Sequence, residues 1–282
     1  MTNVLAYLRG PWAIAVYTWR EGMRKKTLVG FLILSLLVIF GSNFITAFLF
    51  ESGGSEGPTS DVDTKLIKDI CITAIAIFGI LITIFISASV VPTEVENKVI
   101  YTVLSKPVRR FQYLLGKFVG VQLIVLLNLC LMGILFFFAL YFKERVWPTL
   151  LLWSLLVTYF EFLIVSAFTF AISCTASSAV LPTISGLFIY ITGYLSEYLK
   201  DTAERAGQTT QVLDALIGKI AYGLYLVLPN LKAFSRVEKQ IVYAQPNDPV
   251  QAELIPQLIL LSVVYCFAGY VLAYWIFRRR EL

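Results

Sequence analysis

Thr93 to Lys117 forms a charged connector, TEVENKVIYTVLSKPVRRFQYLLGK, between two strongly apolar segments. Its carboxylates, Glu94 and Glu96, come first, and the bases Arg109 and Arg110 follow a proline. Charged side chains in this arrangement can bind a partner through opposite charges. Carboxylates at the edge of an apolar segment favour a protein partner, because an anionic lipid surface repels them. A basic loop that only orients the chain and binds lipid is the alternative.

The sequence contains no histidine, which excludes histidine-based acid–base catalysis, serine–histidine triads and the usual zinc sites. Its four cysteines have no paired spacing, and neither Gly-Lys pair follows a phosphate-binding loop pattern. We therefore expect that the chain is not itself an enzyme and that it binds no cofactor or metal.

The composition is that of a membrane protein. Of 282 residues, 58% are apolar and 15% are charged, and the mean hydropathy is +0.78. A helix needs about 20 apolar residues to cross a hydrocarbon core of about 30 Å. We predict an all-α membrane protein that forms a single domain over residues 1–282. Six predicted spans lie at about 28–50, 69–91, 118–141, 149–173, 180–196 and 257–277.

A long segment, 197–256, separates the last two predicted spans. Its apolar patch from Ile220 to Leu231 is too short to cross a membrane and contains Pro229 and Asn230. We predict that 197–256 is extracytoplasmic and that this patch, with Pro229 and Asn230, is re-entrant or interfacial. A seventh span is the alternative.

The positions of Lys and Arg predict the orientation. With both termini in the cytoplasm, the inside segments carry thirteen of these residues and the two short outside loops carry four. Because cytoplasmic loops carry the excess of positive charge, we predict that the N- and C-termini and the connector 92–117 are cytoplasmic. The expected location is the bacterial plasma (inner) membrane, as a multi-pass protein.

Residues 1–27 are predicted to form an amphipathic helix at the cytoplasmic membrane interface. Trp12, Val16, Trp19 and Met23 share one helical face, and the bases lie off it. A segment that only anchors the first span through its charge is the alternative.

The connector is predicted to be an elbow of two short helical pieces that exposes its carboxylates. Pro107 disfavours helix at the residue before it, so a first helix should end by Leu104. A second should begin at about Val108 and continue into the third span. Gly116 and Gly120 have the spacing of a close helix contact, although a single such pair is common by chance.

The connector resembles the cytoplasmic segment of the type-2 ABC transporter permeases, the type V exporter group. Tyr101 stands where that family usually has glycine, and LPNLKAF (Leu228 to Phe234) also resembles the segment before the family's last span. The resemblance covers the whole chain, including the N-terminal helix and the six spans. The matching positions in the connector are Glu94, Glu96, Thr102, Leu104, Ser105, Pro107, Arg109, Arg110, Tyr113, Leu115, Gly116 and Lys117.

This resemblance implies the permease subunit of an ATP-driven exporter. Two permeases, identical or related, would pair, and two separate ATPase subunits would bind ATP and Mg²⁺ and act on the elbow. The implied ATPase-coupling residues are Glu94, Glu96, Lys98, Thr102, Ser105, Pro107, Arg109 and Arg110.

Glu161 is an ionisable residue deep in the fourth predicted span, where it costs about 2.5–3.5 kcal/mol on insertion scales. We treat Glu161, and Asn128 in the third span, as candidates for the translocation path or for an interface. The alternative is a structural hydrogen bond from Glu161 to Ser166, Asn128 or Tyr159.

Two other functions remain open. An ion- or proton-coupled secondary transporter would use Glu161, although the two halves of the sequence show no clear repeat. A membrane anchor or assembly subunit of the same fold would carry no cargo, and substrate-stimulated ATP hydrolysis by the reconstituted complex would exclude it.

Overall fold

The computed structural model describes residues 2–51, 60–97, 109–144, 150–206, 218–220, 223, 225, 229–243 and 254–279. These residues are helical apart from short turns, with no β-strand in the described ranges. The helices are α1 Thr2–Met23, α2 Lys26–Glu51, α3 Ser60–Ser89, α4 Pro92–Glu96, α5 Arg110–Glu144, α6 Leu150–Ser173, α7 Val180–Tyr194, α8 Ser196–Ala206, α9 Leu231–Tyr243 and α10 Leu254–Arg279.

Among the described residues, five helices are long and apolar enough to cross a membrane: α2, α3, α5, α6 and α10. The prediction of an all-α membrane protein is confirmed. The fifth predicted span corresponds to α7, which has only 15 residues and a length of about 22 Å. It is therefore a shorter apolar helix beside five helices of full spanning length.

The long helices extend past the apolar segments that predicted them. α3 begins at Ser60 rather than near residue 69, and α5 begins at Arg110, eight residues before its predicted span and close to the helix start predicted at Val108. Polar turns continue the same backbone hydrogen bonds, so hydropathy alone does not mark where a helix begins. With 35 residues, α5 is about 52 Å long and must project beyond a hydrocarbon core of about 30 Å.

Contacts define two ends of the helical bundle. At the first, which we call the α4 end, the ring of Tyr113 in α5 stacks on Phe277 in α10 with centroids 5.7 Å apart. At the opposite end, which we call the α9 end, Tyr243 donates a hydrogen bond to Asp69 near the start of α3. The last turn of α10 therefore lies at the same end as α4.

α1 packs lengthwise against the first half of α5 and also lies at the α4 end. A Cβ atom on Gly116 would lie 2.5 Å from the carbonyl oxygen of Pro11, and one on Gly120 would lie 2.7 Å from Cβ of Thr18. Glycine at both positions lets the two backbones approach closely. The contacts advance in the same direction along both helices, so α1 runs parallel to α5.

The face of α1 that meets α5 is not the predicted tryptophan stripe. It includes Pro11, Ala15 and Thr18, all of which are buried, together with Gly22, whereas Trp12 is 60% exposed. Small residues at these positions let the two helices lie close together. Trp12 points away from this contact, and the place of the predicted tryptophan face at a membrane interface stays a prediction.

α6 lies at the centre of the bundle and contacts α3, α5, α7, α9 and α10. α9 packs against α6 with one apolar face, and this face also carries the buried Glu238. Half of the patch from Ile220 to Leu231 lies outside the described residues, so its re-entrant path also stays a prediction.

Replacing Gly116 with alanine should separate α1 from α5, because the new methyl group would meet a backbone oxygen that cannot move independently. We expect a loss of about 1–3 kcal/mol, the usual cost of overpacking, measured as a lower midpoint of thermal unfolding in lipid nanodiscs. Gly41→Ala is the matched control, since no atom lies within 4 Å of the added Cβ. Equal midpoints for the two variants would contradict the close contact.

Candidate functional site

The described part of the charged connector begins with a tight turn after α3. Pro92 occupies the first turn of α4, where its missing N–H costs no hydrogen bond. The N–H groups of Glu94 and Val95 donate to the carbonyl oxygen of Val91 at 3.1 and 3.2 Å. α4 is thus a five-residue helix fixed directly to the end of α3.

Glu94 points into the protein and is 2% exposed. The hydroxyl of Tyr113 donates to one of its carboxylate oxygens, and Nζ of Lys117 donates to the other in a buried ion pair. The expectation that Glu94 is exposed to a partner is therefore wrong. Its side chain instead connects α4 to α5, because both of its hydrogen-bond partners lie on α5.

Further charged and aromatic groups surround this ion pair. Nζ of Lys117 lies 5.4 Å from the ring centroid of Tyr17 in α1. In the turn before α2, Nζ of Lys25 donates to Oγ of Ser89 at 2.7 Å. Burial lowers the pKa of Lys25, and the nearby charge of Lys117 lowers it further, against the opposing effects of Glu21 and, to a smaller extent, Glu94. The site thus connects α1, α3, α4 and α5.

Glu96 faces the opposite way and is exposed, two residues after the buried Glu94. Of the two predicted carboxylates, it is the one that a partner could reach. The predicted coupling residues Lys98, Thr102, Ser105 and Pro107 lie outside the described residues.

Arg109 and Arg110 lie at the start of α5. The N–H of Arg109 donates to Oε1 of Gln112 at 3.2 Å, an arrangement that caps the helix start. Arg110 donates to the carbonyl oxygen of Arg278 at 3.1 Å, which joins the start of α5 to the end of α10. The second helix of the elbow begins within two residues of the predicted Val108.

A cleft of about 770 Å³ opens between these two helix ends. Among the described residues, no acidic side chain lines the cleft, so this part of it is suited to an acidic group of a partner. Its lining residues are Arg109, Arg110, Phe111, Tyr274 and Arg278.

The intramembrane candidates Glu161 and Asn128 have different partners from those predicted. Oε1 of Glu161 accepts a hydrogen bond from the hydroxyl of Tyr194 at 3.0 Å. The predicted partner Ser166 instead accepts from Nε2 of Gln122 at 2.6 Å. Asn128 donates to the carbonyl oxygen of Ile124 on its own helix at 2.8 Å. Sequence could not identify Tyr194, because α7 had no predicted register against α6.

Pro229 and Asn230 precede α9, and Asn230 has a structural role there. Its Oδ1 accepts from the N–H of Ala233 at 3.2 Å, as expected for the residue that caps a helix start. The same oxygen lies 3.2 Å from the hydroxyl of Ser196, its donor at the start of α8. Asn230 therefore joins α8 to α9.

The sequence analysis did not identify two buried residues, Lys117 and Glu238, as site residues. Lys117 was recognised only as a motif position, and the sequence did not reveal that it pairs with Glu94. Glu238 is 4% exposed and lies on the apolar face of α9. Its helical spacing from Phe234 and Ile241 was a signal that could have found it. Within the described ranges, no three Cys, Asp or Glu side chains are grouped so that they could hold a metal ion.

The comparisons with known proteins give one family. A family model described as "ABC-2 family transporter protein" matches residues 12–282, which is nearly the whole chain. A comparison with curated proteins finds no match.

Glu94→Gln should destabilise the protein by about 3–5 kcal/mol, because it leaves the charge of Lys117 buried without a counter-charge. The measurement is the thermal unfolding midpoint of the full chain in nanodiscs. Glu94→Gln combined with Lys117→Met should recover most of the loss, since it removes both charges. Glu96→Gln is the control and should leave the midpoint unchanged. If Glu94→Gln behaves like Glu96→Gln, the ion pair does not stabilise the fold.

Proposed function

The chain belongs to the ABC-2 transporter family, and from this membership we propose that separate ATPase subunits drive this permease subunit through α4 and the start of α5. The proposed protein is an exporter in which two permease chains pair and two ATPase subunits bind ATP and Mg²⁺. The α4 end then faces the cytoplasm, with both chain termini on that side, and the membrane is the bacterial plasma membrane.

The opposite orientation of Glu94 and Glu96 is the observation that supports this proposal most strongly. Glu96 offers a charge to a partner, while Glu94 fixes the same short helix to α5 through Lys117 and Tyr113. A force applied to the exposed face of α4 would therefore act directly on α5 through these side-chain contacts. Stiff elements with fixed contacts are what a switching protein needs to transmit a movement.

The contacts of α5 would distribute such a movement. α5 is held to α1 at Gly116 and Gly120 and to α10 through Arg110 and Tyr113. A displacement of α4 would thus reach α1 and α10 as well as α3, to which α4 is directly joined. Glu94 acts as a positioning residue in this mechanism, and Glu96, Arg109 and Arg110 are the proposed contacts with the ATPase.

Affinity purification of the full chain from native membranes should recover an ATP-hydrolysing partner. Glu96→Lys should reduce that recovery about tenfold, because a reversed charge at a contact costs about 1.4 kcal/mol or more. The thermal unfolding midpoint of the isolated chain should not change, since Glu96 is exposed and makes no described ion pair. Native mass spectrometry should give two permease chains and two ATPase subunits.

Asp201→Lys is the matched control, since Asp201 is also exposed but lies on α8, at the α9 end. It carries the same change of charge and should leave recovery of the partner intact. Equal recovery for Glu96→Lys and the unmodified chain would exclude α4 as the contact. A complex with a single permease chain would contradict the proposed pairing.

A further inference from the structure

Two buried carboxylates meet where α9 packs on α6. Glu161 in α6 is 3% exposed, and Glu238 in α9 is 4% exposed. Glu238 accepts a hydrogen bond from Thr158, about one helical turn before Glu161 on α6, so two ionised carboxylates here would repel each other. A buried pair of like charges is unfavourable unless a counter-charge is present or one group is protonated.

No described cation neutralises this pair. α6 has no charged residue other than Glu161, and α7 offers only the hydroxyl groups of Tyr190 and Tyr194. On α9, Lys232 and Arg236 pair with Glu197 of α8 instead.

The other described charges near α9 do not supply a buried counter-charge to Glu161 and Glu238. Lys239 is exposed on α9 itself, and Asp69 of α3 accepts a hydrogen bond from Tyr243 at the far end of α9. α10 has no charged side chain between Leu254 and Phe277. Among the described residues, the pair therefore faces hydroxyl groups, and the exposed Lys239 is the cation whose charge reaches Glu238.

The hydrogen bonds of Thr158 indicate where a proton would lie. Its hydroxyl has one proton but two oxygen neighbours, Oε1 of Glu238 at 2.7 Å and the carbonyl oxygen of Ser154 at 2.9 Å. A protonated Glu238 can donate to Thr158, and Thr158 can then donate to Ser154. An ionised Glu238 would share that single proton with the Ser154 carbonyl, which also accepts the helical N–H of Thr158, so a protonated Glu238 adds one hydrogen bond to this contact.

We propose that the contact between α9 and α6 takes up a proton, held by Glu238 on Thr158 beside the carboxylate of Glu161. The contact is then linked to pH: it forms readily when this proton is present and weakens when both carboxylates are ionised. This inference goes beyond the proposed function, since it requires neither the ATPase nor a transported substrate.

The direction of the pH effect follows from burial. Burial raises the pKa of Glu238 to about 7, against the opposing effects of the Thr158 hydroxyl and the charge of Lys239. When α9 is released into water, the pKa returns toward its ordinary value of 4.5. The docked state therefore binds more protons, and docking weakens as pH rises from about 4.5 to about 7, with little further change above it. Between pH 5 and pH 8 the docking equilibrium should fall on the order of 50-fold.

Hydrogen–deuterium exchange of the full chain in lipid nanodiscs tests this linkage. After correction for the intrinsic pH dependence of exchange, the amides of 231–243 should lose protection between pH 5 and pH 8 in the unmodified protein. Glu238→Gln imitates the protonated acid, so its protection should stay high at both pH values. Gln240→Ala, at an exposed and uncharged neighbour on the same helix, should retain the pH dependence of the unmodified protein.

Infrared difference spectroscopy on the same samples tests whether a buried carboxylic acid is protonated and which residue carries the proton. A carboxylic-acid C=O band should be present at pH 5, should disappear by pH 8, and should be lost in Glu238→Gln. If that band persists in Glu238→Gln but is lost in Glu161→Gln, the proton is on Glu161 and the assignment to Glu238 is overturned. Protection of 231–243 that does not vary with pH in the unmodified protein would overturn the linkage.

Discussion

The buried ion pair between Glu94 and Lys117 is the interaction on which the α4 end of the bundle depends. It fixes a five-residue helix that is too short to be stable alone, since isolated helices below about 12–15 residues are marginal. Both charges are almost completely buried, so neither can be satisfied by water. Loss of one would leave the other without compensation, which ties the position of α4 to the register of α5.

The same requirement for internal partners explains the polar residues within the long helices. Thr83 donates to the carbonyl oxygen of Gly79 at 2.8 Å, and Ser87 donates to that of Thr83 at 2.7 Å. These hydroxyl groups are satisfied within one helix and place no constraint on its neighbours. Gln122 and Glu161 cannot satisfy their polar groups in this way, and their hydrogen bonds to Ser166 and Tyr194 join separate helices. Long polar side chains that reach a neighbouring helix, unlike the hydroxyls of Thr83 and Ser87, therefore help to specify how the helices are arranged.

The sequence predicted which parts of the chain are helical in the membrane, because an apolar run of sufficient length has few other structures available to it. It also predicted that α5 begins near Val108, from the effect of Pro107 on the preceding residue. It could not predict that Glu94 is buried, because Lys117 is 23 positions away and becomes its partner only once α4 folds back on α5. Glu238 was missed for the same reason, since only the docking of α9 brings it to Thr158 and Glu161. Periodicity identifies faces of helices, but it does not reveal which helices meet.

The two ends of the bundle use buried carboxylates in opposite ways. At the α4 end, Glu94 has a cation, so α4 can stay attached to α5 while a partner acts on its exposed face. At the α9 end, Glu161 and Glu238 have hydroxyl partners and no described cation, so their contact depends on a proton. An attachment that must transmit force benefits from a permanent counter-charge, whereas one that must open and close benefits from a charge that can be removed. If α9 separates from α6 while cargo passes, the lack of a buried counter-charge for Glu238 among the described residues is what makes that separation reversible near neutral pH.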